Sequence, residues 1–442
     1  MEHSEDAFTY TSSATAGRKM ERRNTDAAKW VAPLALMLLN GLLFWSARGD
    51  ALRGYADFSG FYSTGVLVRS GHAADIYNPK AQRDIQAQLY PHAGVSANPL
   101  QFYTHPPFEA LLFSALAAFD YSHAYHFWAF INLAILISLP FVLAPCIPAL
   151  MDRYRPFVLF AFLSFFPAMI ALLQGQDSIL LLLIFAFTYR SLRGDKELRA
   201  GALLGLGLFR FQITIPFALF FLAQRRWKAL LGFTAVALLL FSVTLGLIGW
   251  QGTLHYVQYL RGLNVGLAAG KNMEVRGMFP EVMPNIRGFL FTCFAKVLTE
   301  SRLQFLTAAV SLAILGWTLF LLARTRRAAD DHLGLAFSLQ LIASLLVSFH
   351  LYVHDLSLLA LALLLLLNDL ASERWEVKIG RIAVPSLTAF FYFTPLFLAL
   401  QPIRKVSLYF LPLLALALLS SQEISRSRGP ESVGRALNRP QS

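Results

Sequence analysis

The chain has 442 residues, of which 56% are hydrophobic and only 14% charged, with a net charge of +12 and a mean hydropathy of +0.52. That balance excludes a water-soluble globular enzyme and points to an integral membrane protein. Nucleic acid is excluded as a partner, because the surplus Lys and Arg fall in short segments between apolar runs and form no basic amphipathic face or nucleic-acid motif. Cys146 and Cys293 sit among apolar neighbours, so no disulfide framework is expected.

Residues 1–28, with "GRKMERR", read as a disordered cytoplasmic N terminus, and "WVAPLALMLLNGLLFW" as an uncleaved membrane helix over 29–47. Such runs must be helical, since a backbone in lipid has to satisfy its own hydrogen bonds. A polar loop over 48–123 follows. In "ARGDALRGYADFSGFYSTG", Tyr55, Phe58 and Tyr62 recur at near-helical spacing, which predicts a segment hugging the membrane surface and holding Asp57 close to the bilayer. A partly desolvated carboxylate there suits general-base work; equally, Asp57 is a helix N-cap. "HPPFEALL" opens a surface helix over 106–119, with His105 just before it.

A strong run at 124–148 crosses the membrane, and helices 157–173 and 176–190 flank "QGQD", putting Gln174, Gln176 and Asp177 on the outer face. The apolar stretch 200–223 is long enough for one crossing, yet basic segments bound it on both sides. Placing every basic segment in the cytoplasm requires an even number of elements between them. One resolution is a re-entrant pair of half-helices meeting near Arg210 and lining a polar cavity; the alternative is one tilted helix whose Arg210 snorkels or pairs with a neighbour. Next come helix 229–250, an outer loop 251–287, helices near 303–323, 334–349, 355–369, 382–401 and 406–421, and a cytoplasmic tail 424–442. The fold class is therefore an all-α polytopic bundle of about 10–12 membrane helices.

"SFHLYVHD" brings His350, His354 and Asp355 to the same outer face. The His pair at i, i+4 reads as an interfacial polar cluster, because no third ligand is fixed by spacing; no metal and no cofactor is expected, and no phosphate loop occurs. Two functions fit: an enzyme working at an outer cavity, or a transporter or lipid-carrier flippase. The long first loop and the lack of a sequence repeat favour the enzyme.

The stretches "DFSGFYSTGVLVRSGHAADIYNP", "FYTHPPFEALLFSAL", "LLQGQDSILLLLIFAF", "LRAGALLGLGLFRFQITIPFALFFLAQRRWKALL" and "SFHLYVHDLSLLALAL", in this order, resemble glycosyltransferase family 87 over about residues 30–370. The resemblance implies a GT-C-type membrane domain over 29–423. It implies inverting transfer of a hexose, typically mannose, from a polyprenyl-phosphate sugar to a glycan or glycolipid acceptor at the outer face of the cytoplasmic membrane. Asp57 takes the place of the acid that deprotonates the acceptor. Arg210, with Gln212 beside it, takes the place of the family's lysine near the donor phosphate, where a cation stabilises charge growing on the leaving group. Tyr62, Tyr77, His105, Gln176, Asp177, His354 and Asp355 fall in the implied substrate cavity. The chain departs from the pattern at His105, Asp177 and Arg210, where the family has tyrosine, asparagine and lysine, and "HLYVHD" lacks the usual tryptophan.

Overall fold

In a computed structural model, residues 29–426 are described, apart from 90–100, 270–279, 325–331 and the single positions 374, 401 and 404. The expected N-terminal segment 1–28 and most of the expected tail lie outside them. Regular structure among the described residues is entirely helical. Seven helices are long and apolar enough to cross a bilayer, or eight counting a pair bent by 62° at Phe393, and the chain is a multi-pass membrane protein. Shorter helices buried between them complete the bundle.

Helix α1 (29–50) runs through a π-turn, Ala51–Tyr55, into α2 (Phe58–Arg69), and α3 (Pro79–Leu89) follows. Helix α2 is not the surface segment its spacing suggests. Tyr55 is exposed, but Phe58 and Tyr62 are buried in an aromatic cluster with Phe113, Tyr121 and Tyr125. Small residues explain this: a Cβ on Gly65 would collide with the Phe113 backbone, so α2 lies against α4 (Ala110–Leu116) closer than a side chain allows. With its 3-10 start at Pro107–Glu109, α4 is too short to span and exposes Leu111 and Leu112.

Helix α5 (Tyr121–Leu143) descends from this lobe, and α6 (Pro148–Phe160) turns at the opposite face. The helix expected over 157–173 is broken: turns at 161–164 and Pro167 separate α6 from α7 (Phe166–Gln174). Helix α8 (Ser178–Arg193) returns after the "QGQD" turn.

Helices α9 (Glu197–Leu206) and α10 (Phe211–Ala223) are joined by a 3-10 turn, Gly207–Arg210. By length the stretch could be one span. Its ends decide otherwise. Arg226 Nη1 lies 3.0 Å from Glu197 Oε1, whereas a straight helix over 197–223 would hold its ends about 40 Å apart. The chain enters, turns at Arg210 and returns to the same face, as parity requires. Both neighbouring basic segments consequently share that face.

Helix α11 (Trp227–Ala269) rises alongside α9, with Gly201 against Ala229 and Gly232 against Leu198. Gly201→Ala is expected to destabilise the protein by about 1–3 kcal/mol, read as a lower melting temperature in detergent, because the new methyl overlaps the Ala229 carbonyl. The loop expected over 251–287 is largely helical instead. After a break at Gly249, whose φ of 68° and ψ of 179° suit only glycine, α11 continues to Ala269 and stacks Tyr256 on Tyr77 at 4.6 Å.

The remaining helices are α12 (Ile286–Phe294), α13 (Glu300–Arg324), α14 (Leu333–Val347), α15 (Leu359–Ala371), α16 (Gly380–Tyr392), α17 (Thr394–Leu400) and α18 (Phe410–Arg426). Helix α14 is buried along almost its whole length, so its apolar residues show no stripe. Helix α18 runs past the expected tail boundary at 424, with Glu423 accepting the backbone N–H groups of Glu376 and Val377.

Candidate functional site

The polar centre forms where α2, α8, α10 and α15 begin. Asp57 occupies the N-cap position of α2, yet its side chain makes no cap hydrogen bond. Its backbone N–H donates to Gln174 Oε1 at 3.0 Å, and its Oδ2 accepts from Gln176 Nε2. Asp57 is half-buried, with its other oxygen free of hydrogen-bond partners among the described residues.

The "QGQD" turn delivers both glutamines. Gly175 has φ 61°, and a Cβ there would stand 2.7 Å from the Phe58 Cβ, so glycine is required on both counts. Trp128 Nε1 donates to the Gly175 carbonyl at 2.9 Å and Tyr125 Oη to that of Leu173 at 2.8 Å, fixing the turn.

Arg210, 1% exposed, sits at the hairpin tip and is committed to the protein. Its Nε donates to Asp177 Oδ1 at 2.7 Å, Nη2 to Asp177 Oδ1 and Gln176 Oε1, and Nη1 lies 3.2 Å from Asp355 Oδ1. Asp355 also accepts from Ser178 Oγ at 3.1 Å and the Tyr352 N–H at 2.9 Å. The guanidinium therefore does not present the open fork that a phosphate clamp needs. A desolvated cation needs anions close by, and two buried carboxylates supply them here.

On the far side of Asp177, His105 Nδ1 lies 3.2 Å from Asp177 Oδ2 and 2.8 Å from Glu109 Oε2. Burial alone would lower the His105 imidazole; Glu109, supported by Asp177, outweighs both burial and the opposing Arg210 and lifts it to about 9. Burial, with Asp177 beside it, pushes the Glu109 carboxyl up against the pull of His105. His350, pushed down to about 3 by burial that Asp355 only partly opposes, is neutral. A small cleft lined by Thr104, His105, Gln212, Leu260 and His350 opens beside this cluster.

The structure thus joins Asp57, Gln176, Asp177, Arg210, His105 and Asp355 in one network, with His354 buried 3.5 Å from Asp355. Tyr77 supports it indirectly, donating to the His105 carbonyl at 2.7 Å. Tyr62 does not reach it and donates instead to the Phe119 carbonyl at 2.8 Å. Glu109 was not expected; the signal was an acid at i+4 from His105 inside an apolar stretch.

Comparison with known proteins gives one match. The sequence model of glycosyltransferase family 87 covers residues 103–349, more than half the chain, including His105, Gln176, Asp177, Arg210 and Gln212 but not Asp57 or Asp355. No curated protein and no solved structure matches.

Proposed function

The chain belongs to glycosyltransferase family 87, and from that premise we propose that it transfers a hexose, mannose first among them, from a polyprenyl-phosphate sugar to a glycan or glycolipid hydroxyl, inverting the anomeric centre. Asp57 takes the acceptor proton as the hydroxyl oxygen attacks the anomeric carbon and the lipid phosphate departs with the bonding electron pair. The observation that carries this reading is the state of the Asp57 carboxylate: positioned as a helix cap, it is held through Gln176 beside the buried cluster, with one oxygen unused. Gln176 bridges Asp57 to Arg210, so base and cation share one frame. Arg210 serves this chemistry by fixing Asp177 and Asp355. Gln212, in the cleft wall, is the residue nearest to hand for the donor head group.

The test is a screen in membranes supplied with polyprenyl-phosphate sugars and candidate acceptors, followed by product analysis. A glycosylated acceptor of inverted configuration is expected; a lipid-linked sugar that crosses the membrane without transfer would instead identify a flippase. The site faces away from the cytoplasm in this reading. In a cysteine-free background, exposed Ser70→Cys is then labelled by an impermeant maleimide from outside and Gly194→Cys from the cytoplasm alone; the opposite pattern refutes the orientation.

A further inference from the structure

The transfer chemistry above leaves His105, Glu109 and the outer oxygen of Asp177 unused. We propose that these three side chains form a divalent-cation site, one imidazole with two carboxylates, suited to Mn²⁺ or Zn²⁺. Ligand atoms of the three lie within 4.8 Å of one another. Ligands at about 2.1 Å from a metal and at right angles stand about 3 Å apart. The edges from His105 Nδ1 to Glu109 Oε2, 2.8 Å, and to Asp177 Oδ2, 3.2 Å, match that spacing.

One unsatisfied atom points to an occupant. Glu109 Oε1 is buried without a hydrogen-bond partner among the described residues, on a side chain 3% exposed, while fully buried Asp177 Oδ2 faces the shared His105 Nδ1 at 3.2 Å. A buried carboxylate oxygen left so is costly, and an ion removes the cost. Arg210 holds the other oxygen of Asp177, so that Oδ2 is turned toward His105 and Glu109, where the ion would sit. Glu109 is oriented by Tyr103 Oη at 3.3 Å, and the His105 ring is packed between Tyr103 and Phe61. Such support around a ligand set keeps it aimed in one direction. His105, 13% exposed on its side chain, borders the small cleft, so further coordination positions are open to water or a phosphate oxygen. A mixed nitrogen and oxygen set with few ligands disfavours Ca²⁺, which takes six to eight oxygens, and the soft Cu⁺. Four carboxylates, Asp57, Glu109, Asp177 and Asp355, meet here around Arg210 and the His105 ring, and a dication that displaces the His105 Nδ1 proton complements them.

The site is independent of the sugar chemistry and is tested without donor or acceptor. Full-length protein in detergent is stripped with a chelator and titrated with MnCl₂, following bound Mn²⁺ by electron paramagnetic resonance. One tightly held ion per chain is expected, with a pulsed-resonance coupling to the imidazole nitrogen of His105. Glu109→Gln should weaken binding at least about tenfold, and His105→Gln should erase the nitrogen coupling. Asp120→Asn, at the exposed Asp120–His123 pair, should leave both unchanged. Mn²⁺ should also raise the melting temperature of the native chain, a rise absent in Glu109→Gln whatever that variant's own stability. Failure of the native chain to hold Mn²⁺ or Zn²⁺ at about 1 mM, a bound ion with no nitrogen coupling, or unchanged affinity in Glu109→Gln overturns the proposal.

Discussion

Asp57→Asn is expected to lower sugar transfer by about two to four orders of magnitude while leaving the melting temperature close to native. The amide has the same shape, and its oxygen can still accept from Gln176 Nε2 as Asp57 Oδ2 does. What it cannot do is take the acceptor proton. Because Asp57 makes no cap hydrogen bond, α2 loses no capping interaction on substitution. The fall should appear in kcat with little change in the donor KM, measured by product formation from polyprenyl-phosphate mannose. A variant that keeps native turnover would remove Asp57 from the chemistry, and the base would have to be sought elsewhere in the cluster.

Arg210→Met is the second large effect, and it separates two roles for one side chain. A guanidinium that only gripped phosphate would leave a stable protein with weak donor binding when removed. Removing a guanidinium committed to Asp177 and Asp355 leaves Asp355 without its cation and Asp177 with His105 alone, at a cost of about 3–5 kcal/mol. We expect the melting temperature to fall sharply even without substrate, and transfer to be lost with it. Arg210→Lys should recover part of the stability, since a point charge reaches one carboxylate but cannot face Asp177, Asp355 and Gln176 together. Native melting behaviour in Arg210→Met, with a raised donor KM, would restore the clamp reading.

Much of this architecture was legible in order and charge. Basic segments on both sides of 200–223, in a stretch too short for two crossings, already suggest a chain that turns back rather than one tilted helix, and the Glu197–Arg226 pair decides for the turn. The partners of Arg210 were not legible: Asp177 is 33 residues away and Asp355 comes from another helix start. Sequence reveals that a buried cation needs an anion, not whether the anion is protein or ligand. Glu109 escaped because Pro106 and Pro107 account for the helix start by themselves, and nothing local shows that its carboxylate turns inward. The distal half of α11 escaped for the opposite reason. Gly249 and the polar residues after it imitate a loop, while the helix resumes in a new direction.

That resumed stretch fixes a distance. At 1.5 Å per residue α11 is about 65 Å long, twice the thickness of the hydrocarbon, so its first leg exhausts the membrane and its second must lie outside. Trp250, Leu254 and Val257 are exposed on the second leg at helical spacing, while Tyr256 faces the lobe. An amphipathic rod with that pattern floats at the head-group boundary. Through the Tyr256–Tyr77 stack it moors the lobe at one height above the lipid, and the same anchor sets how far Asp57 stands from the leaflet beneath.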